Sequence, residues 1–349
     1  LGRSSLYSNQ TGNYNIAIGQ SSLQNNTNNN NVAAGFESLK SNTNAANNTA
    51  IGHQALKANT TAANNTAVGS EALLSNQTGT ENVAIGRKTL RVNTTSNNTA
   101  VGSNALFANT TGAGNVAVGT FALDANTTAN NNIGIGYFSL SNNTTGTRNI
   151  AIGTSALLAN TTADNNTAIG YNALVANTTA DGNTAVGYVA LTSNTTGHNN
   201  TAVGKEALDA NTTGTHNTAI GVQALSANIT GVRNVAVGFQ NMVFNTTGGY
   251  NSAIGDNALR ENRSGINNVA IGASALRQNV SGDKNVAVGA FCLRDNTTGE
   301  QNVAIGSGAL DDNTTADNNT AVGYQALNLN TTGANNTAVG VTALLSNTT

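Results

Sequence analysis

A glycine recurs every 17 residues along nearly the whole chain. Twenty-one glycines mark this period, from Gly2 to Gly340, and only two of the intervals are 16 residues long. A fixed short period across 349 residues indicates one supersecondary unit stacked on copies of itself. We therefore expect a single continuous rod of repeats over residues 1–349. Because the first and last repeats are incomplete, we also expect a fragment of a longer fibre or filament.

Comparison of the repeats with one another shows which residue types each position requires. We number the repeat so that Asn149 is position 1 and Gly153 is position 5. Position 1 is Asn in all twenty complete instances, and position 12 is Asn throughout. Position 3 is Ala except for Gly134, position 4 is Ile or Val except for Ala34, and position 9 is Leu except for Met242. Position 8 is mostly Ala or Ser, and position 15 is usually Gly or Ala.

The charged residues follow the same period. Every Lys, Arg, Asp and Glu falls at position 6, 7, 10, 11, 13, 16 or 17. The other positions exclude long solvated side chains, so we expect them to be buried or tightly held. The chain as a whole is only 9% charged with a net charge of −2, which disfavours nucleic-acid partners and an electrostatic membrane patch.

Alternation at positions 2 to 4 predicts an all-β fold. A helical repeat would need two helices and a turn within 17 residues, and Asn, Thr and Gly disfavour helix. We predict a parallel β-solenoid with one 17-residue coil per repeat, about 20 coils in total. Strands are expected near positions 2–4 and 8–11, with turns near 5–7 and 12–17. Stacking of Leu157 on Leu174 and of Ile152 on Ile169 is expected to form a thin apolar core.

Small residues at positions 3 and 8 suggest a second backbone close by. A parallel homotrimer is the natural closed arrangement for a fibre, so self-association is the predicted partnership. The alternative is that Ala at these positions fits a tight corner within the coil itself.

Stacked position 1 asparagines are expected to form a structural ladder, amide to amide, along the axis. The predicted ladder comprises Asn15, Asn31, Asn48, Asn65, Asn82, Asn98, Asn115, Asn132, Asn149, Asn166, Asn183, Asn200, Asn217, Asn234, Asn251, Asn268, Asn285, Asn302, Asn319 and Asn336.

Position 12 begins an Asn-x-Thr/Ser pattern in nineteen repeats, which is the acceptor pattern for N-glycosylation. The candidate sites are Asn9, Asn59, Asn76, Asn93, Asn109, Asn126, Asn143, Asn160, Asn177, Asn194, Asn211, Asn228, Asn245, Asn262, Asn279, Asn296, Asn313, Asn330 and Asn347. Seven further Asn-Asn-Thr sites precede the strand, at Asn47, Asn64, Asn97, Asn165, Asn199, Asn318 and Asn335. The alternative to covalent glycans is a turn or a second ladder that uses the same residues.

Catalytic and metal chemistry have little support. His53, His198 and His216 lie at variable turn positions, and no Cys/His metal spacing or Gly-Lys-Ser/Thr phosphate loop occurs. Cys292 fills a small-residue slot and Met242 a Leu slot, so both are interpreted as packing variants. We therefore expect no enzyme activity, no cofactor and no metal. The chain also lacks an apolar run of the roughly 20 residues that a membrane span needs.

The phrase N-[TV]-A-[IV]-G-x-x-A-L-x-x-N-T-T-G, at residues 183–197 and 319–333, resembles repeats of phage and bacterial tail-fibre-type proteins. Its core also looks like the left-handed β-roll heads of trimeric autotransporter adhesins, whose repeat is shorter. The resemblance implies a left-handed, trimeric fibre that is extracellular or on a virion or cell surface. The expected function is therefore a non-enzymatic fibre shaft or adhesin stalk. The alternative is a repetitive polar face that binds carbohydrate or ice.

Overall fold

The computed structural model describes residues 2–348, and the chain divides into two compact units, Leu1–Asn172 and Ala173–Thr349. Across the described residues the regular secondary structure consists of β-strands, each three residues long. Each strand occupies positions 2–4 of one repeat. The predicted all-β parallel solenoid with one 17-residue coil per repeat is confirmed. The single rod over residues 1–349 and the left-handed coiling stay predictions.

In the first unit, each strand pairs in parallel with the next one along the chain. Equivalent positions of successive repeats are partners, so that Ala50 lies beside Ala67. The strands are β1 (Ile16–Ile18), β2 (Val32–Ala34), β3 (Thr49–Ile51), β4 (Thr66–Val68), β5 (Val83–Ile85), β6 (Thr99–Val101), β7 (Val116–Val118), β8 (Ile133–Ile135), β9 (Ile150–Ile152) and β10 (Thr167–Ile169).

The second unit repeats this arrangement. Its strands are also parallel and in register, and Ala202 pairs with Ala219. The strands are β11 (Thr184–Val186), β12 (Thr201–Val203), β13 (Thr218–Ile220), β14 (Val235–Val237), β15 (Ser252–Ile254), β16 (Val269–Ile271), β17 (Val286–Val288), β18 (Val303–Ile305), β19 (Thr320–Val322) and β20 (Thr337–Val339).

The middle residue of each strand faces inward, and its two neighbours face outward. Position 3, which is Ala in every strand but β8, is buried from β2 onward, whereas positions 2 and 4 are part-exposed or exposed. The predicted core of β-branched residues was therefore wrong, because Ile152 and Ile169 pair in register on the outer surface. At Gly134 an added Cβ would lie 3.2 Å from Leu123 Cγ. Position 3 thus packs directly against the leucine column, where there is room only for a methyl group.

Positions 6 to 11 form a stacked turn, and the predicted second strand over positions 8–11 was wrong. Positions 7 and 9 have positive φ, as at Gln54 (57°) and Leu56 (50°). The Leu56 N–H donates to the Ala72 carbonyl of the next coil at 3.0 Å, and the Asn59 N–H donates to the Leu56 carbonyl at 3.1 Å. Because side chains of a strand alternate between faces, a strand could not bury both position 8 and position 9.

The core of each unit is a column of leucine with alanine on either side. Leu at position 9 is fully buried, as at Leu123 and Leu208, which confirms the predicted location of these side chains. Met242 fills the leucine slot and Cys292 the small-residue slot, and both are fully buried. Burial of one such leucine contributes about 1.5–3 kcal/mol. Repetition of this contribution supports coils in which, among the described residues, leucine or Met242 is the only large apolar side chain inside.

The glycine that marks the period follows each strand. Gly52 has a φ of 135°, and a Cβ added there would lie 2.5 Å from the carbonyl oxygen of Gly69 in the next coil. The backbone conformation and the close approach of the next coil both require a residue without a side chain. This explains why the 17-residue period is so strict at this position.

Candidate functional site

Asparagine at position 1 forms the first of two hydrogen-bonded columns inside each unit. Eighteen of the twenty predicted ladder residues are fully buried, and the outermost two, Asn15 and Asn336, are part-exposed. The Asn65 backbone N–H donates to Asn48 Oδ1 at 2.9 Å, and Asn65 Nδ2 donates to the Gly79 carbonyl at 2.9 Å. The ladder therefore satisfies backbone groups that the short strands leave unpaired.

Asparagine at position 12 forms the second column. Seventeen of the nineteen candidate glycosylation residues are fully buried, and the outermost two, Asn9 and Asn347, are part-exposed. Asn126 Nδ2 donates to Asn109 Oδ1 at 2.9 Å and to the Ala129 carbonyl at 3.1 Å. Both amide hydrogens are used inside the coil. A glycan on such a nitrogen has no space in the folded chain.

The carbonyl at position 15 accepts hydrogen bonds from both columns. The Ala62 carbonyl receives Asn48 Nδ2 and Asn59 Nδ2, each at 3.0 Å. At Gly112 an added Cβ would collide with Asn109 Oδ1. The two amides crowd this position, which accounts for its restriction to small residues in most repeats.

The seven Asn-Asn-Thr sites lie elsewhere in the coil. They occupy position 17, where Asn adopts left-handed backbone with φ between 57° and 63°. Asn and Gly tolerate this conformation best, so its recurrence has a structural reason. All seven side chains are exposed, and a glycan at these positions is sterically allowed: Asn47, Asn64, Asn97, Asn165, Asn199, Asn318 and Asn335.

The outer face of the strands is the most regular surface of each unit. Positions 2 and 4 carry only β-branched or small residues in every complete repeat and never a charge. They are nevertheless solvent-exposed, with Ile220 at 41% and Ile254 at 46%. Position 6 extends this apolar face with rings in some coils, including Tyr188 and Phe239. We call positions 2 and 4 of successive coils the strand face.

Neither a family model, a curated protein nor a solved structure matches the chain. The resemblance to tail-fibre-type repeats therefore stays a prediction.

Stacking brings together side chains that lie one period apart in the sequence. The rings of His198 and His216 are 5.4 Å apart, and His53 stacks on Phe36 at 5.5 Å. The sequence analysis placed these histidines at variable turn positions, although the separation of 18 residues between His198 and His216 already indicates adjacent coils. Between residues 2 and 348, no group of three or more His, Cys, Asp or Glu side chains is arranged to hold a metal ion. The described residues also contain no helix that could span a membrane.

Two carboxyl groups have strongly shifted pKa values in opposite directions. Lys40 at 2.7 Å and Lys57 at 2.8 Å hold the pKa of Glu37 down at about 2. Burial raises the pKa of Asp311 to about 6, against the opposing charge of Arg294. Desolvation also raises the pKa of the Cys292 thiol to about 12. A thiol with so high a pKa is a poor nucleophile, as its packing role leads us to expect.

Proposed function

We propose that the chain is a structural shaft of an extracellular fibre or filament, of the tail-fibre or adhesin-stalk kind, without enzymatic activity. In this proposal it spaces a tip from a surface or coats that surface. The observation that carries it is the strand face, which is exposed in each unit and yet free of charge in every repeat. Burial within the coil does not explain that absence of charge. Contact with another copy of the chain does.

The small residues at positions 3 and 8, from which the sequence analysis predicted a partner chain, do not lie at a surface. Small residues at positions 3 and 8 pack inside the coil, beside the leucine column, so they do not mark a surface that a second backbone covers. The strand face takes over that role. Its repetitive, in-register arrangement suits association between copies that run in the same direction, as in a parallel homotrimer.

The area of the strand face is sufficient for a stable contact. Coils are spaced by roughly 4.8 Å, and three strand residues span about 10 Å, so each coil offers about 50 Å². The ten strands of one unit then offer about 500 Å² per copy, or about 1,000 Å² counted over both partners. That value reaches the lower end of specific protein interfaces, and contacts made by both units would exceed it.

Oligomeric state tests this proposal. We expect the native chain to sediment as a trimer, and the double variant Val203→Lys with Ile220→Lys to be monomeric with unchanged circular dichroism. The matched control is Thr195→Lys with Thr212→Lys at position 13, where the chain itself carries Arg263. This control should remain trimeric. A native chain that sediments as a monomer would overturn the proposed association, as would a control that dissociates equally.

The rival function, a polar array for carbohydrate or ice, relied on Asn and Thr of the Asn-x-Thr pattern sharing one face. Asn126 is buried whereas Thr128 is exposed, so the two side chains do not form a common surface. The proposal likewise places no glycans at position 12. Intact mass of extracellular material before and after deglycosylation tests this point, and peptide mapping would assign any sugar. A glycan on a buried asparagine such as Asn126 would contradict the fold itself.

A further inference from the structure

The two outer positions of the strand face differ in their exposure to solvent. Position 4 is exposed in eleven of the twenty strands, whereas position 2 is exposed in three. In β8 both positions hold isoleucine, and Ile135 at position 4 is 37% exposed while Ile133 at position 2 is only part-exposed. The same residue type therefore meets more solvent at position 4.

The more exposed position is also the more strictly apolar one. Ten of the twenty strands carry Thr or Ser at position 2, as at Thr218 and Ser252. Position 4 is Ile or Val in every strand except at Ala34, so no hydroxyl and no charge occurs there. A free surface would show the opposite trend, because polar side chains are the ones that solvent exposure favours. The reversal is expected if another molecule covers position 4 more completely than position 2.

The residues that flank the strand face continue this difference. On the side of position 4, position 6 carries a Phe or Tyr ring in six of the twenty complete repeats, and these rings are 41–52% exposed. On the side of position 2, position 17 carries a ring only at Tyr14 and Tyr250 and is otherwise polar or Gly. Protein interfaces have an apolar centre and a polar rim. This pattern assigns the centre of the contact to position 4 and the rim to position 2.

We propose that the column of position 4 residues lies at the three-fold axis of the trimer, where side chains of three copies meet. This inference rests on the proposed function, because it takes the partners to be two further parallel copies of the chain. Side chains at a symmetry axis contact their own equivalents, so each Ile135 contacts the same residue of the other two copies. Position 2 lies farther from the axis, where the hydroxyl of a residue such as Thr218 still reaches solvent.

The distance between the two positions makes this placement of the axis specific. Residues two apart along a parallel strand are separated by roughly 6.6 Å. Equivalent atoms around a three-fold axis lie farther from one another than from the axis, so equivalent residues at position 2 are more than roughly 6.6 Å apart. A disulfide needs Cβ atoms about 3.5–4.5 Å apart. Cysteines at position 4 can therefore form a disulfide between copies, whereas cysteines at position 2 cannot.

Cysteine cross-linking of the full chain tests the position of the axis. Ile135→Cys and Ile133→Cys are a matched pair, since both replace isoleucine on the same face of β8. Oxidised glutathione accepts two electrons and two protons from two thiols, so that one disulfide forms between copies and two molecules of reduced glutathione are released. We expect Ile135→Cys to give at least tenfold more covalent dimer than Ile133→Cys on non-reducing gels. The native chain should give none, because Cys292 is fully buried.

A second pair, Ile220→Cys and Thr218→Cys on β13, repeats the test in the second unit. Sedimentation of the reduced variants shows which of them remain trimers. Dissociation confined to the position 4 variants would support the proposal, because it places the tighter contact there.

Four outcomes would overturn the proposed position of the axis. They are equal cross-linking at the two positions, preferential cross-linking at position 2, no cross-linking in position 4 variants that remain trimers, and dissociation that includes the position 2 variants. In each of these cases a trimeric native chain would leave the proposed function intact. A native chain that sediments as a monomer would overturn the proposed function and the axis together.

Discussion

The two 16-residue coils differ from the 17-residue coils in one column of hydrogen bonds. In a regular coil, position 12 asparagine donates to its equivalent in the preceding coil, as Asn109 Oδ1 receives Asn126 Nδ2. In the short coil, Asn93 Nδ2 donates to the Thr95 carbonyl at 2.7 Å. Asn76 Oδ1 is left buried without a hydrogen-bond partner among the described residues. The hydrogen bond between successive position 12 asparagines is therefore missing between Asn93 and Asn76.

The other column passes through the short coils intact. The Asn98 backbone N–H donates to Asn82 Oδ1 at 3.0 Å, as in a regular coil. Thr95 O also receives Asn82 Nδ2 at 2.8 Å, so Thr95 takes the part of position 15. The missing residue is therefore position 14, which is exposed elsewhere. Loss of a surface residue is tolerated because the position 1 column and the leucine core do not depend on it.

The largest effect should be the same in both kinds of coil. Leu123→Asp in a regular coil and Leu90→Asp in a short coil each place an unpaired charge in the fully buried column. We expect each to lower the free energy of unfolding by about 4 kcal/mol or more. Denaturation followed by circular dichroism measures this. If Leu90→Asp had little effect on stability, the leucine core of the short coil would be poorly packed, and the defect would not be confined to position 12.

The second effect should distinguish an intact step of the position 12 column, at Asn126, from the broken step between Asn76 and the short coil. Asn126→Ala removes two donated bonds and the bond accepted from Asn143 Nδ2, all of them buried. We expect a loss of about 3 kcal/mol. Asn76→Ala removes a strong bond to the Gly79 carbonyl and a long one of 3.4 Å to Asn59, so about 1–2 kcal/mol is expected. Equal losses in chemical denaturation would contradict a broken column at Asn76.

Much of the fold can be predicted from the repeat, but not the direction of its faces. The charge pattern correctly identified positions 1, 3, 8, 9, 12 and 15 as protected. It wrongly protected position 14, where Thr128 and Thr162 are exposed. It also protected positions 2 and 4, which are part-exposed or exposed, because absence of charge does not distinguish an interior from an outer apolar face. The adjacent protected pair Ala156 and Leu157 already argued against a second strand, since a strand would turn one of them outward. Positive φ at leucine has no signal in the residue type, because it follows from the stacking of neighbouring coils.

The free energy of unfolding should depend on pH through Asp311. The difference in stability between Asn126→Ala and Asn76→Ala should not depend on pH. The pKa of Asp311 is about 6 in the folded chain and 3.8 for an ordinary Asp side chain, so folding takes up a proton between these pH values. Stability from this group is present below about pH 4 and is lost as pH rises through 6. Arg294 opposes the shift, and Asp312 and Asp295 add to it.

Asp311→Asn should therefore stabilise the chain at pH 8, by about 2 kcal/mol after allowance for its partial exposure, and have little effect at pH 3.5. The difference between Asn126→Ala and Asn76→Ala should be equal at both pH values, because amides do not titrate in this range. Thermal unfolding at pH 3.5 and pH 8 measures both. A stabilisation that grew toward low pH would have the wrong sign for this account.

A smaller effect should come from repair of the short coil. Insertion of one threonine between Thr94 and Thr95, together with Thr95→Gly, restores the Asn-Thr-Thr-Gly sequence of a regular coil. Asn93 Nδ2 should then reach Asn76 Oδ1, and we expect a gain of about 1 kcal/mol. The matched control inserts threonine between Thr127 and Thr128 of a regular coil, and it should destabilise. A repaired coil that is no more stable than the native one would show that the unpaired oxygen carries no penalty.

Hydrogen exchange of the asparagine side-chain amides tests the central claim most directly. With ¹⁵N-asparagine labelling, we expect the Nδ2 hydrogens at positions 1 and 12 to exchange as slowly as the backbone amides of the strands. Asn165 and Asn318, exposed at position 17, should exchange orders of magnitude faster. Within the position 12 column, Asn76 and Asn93 should exchange faster than Asn109 and Asn126. Rapid exchange at Asn109 and Asn126, equal to that of Asn165 and Asn318, would contradict the buried ladders on which this fold depends.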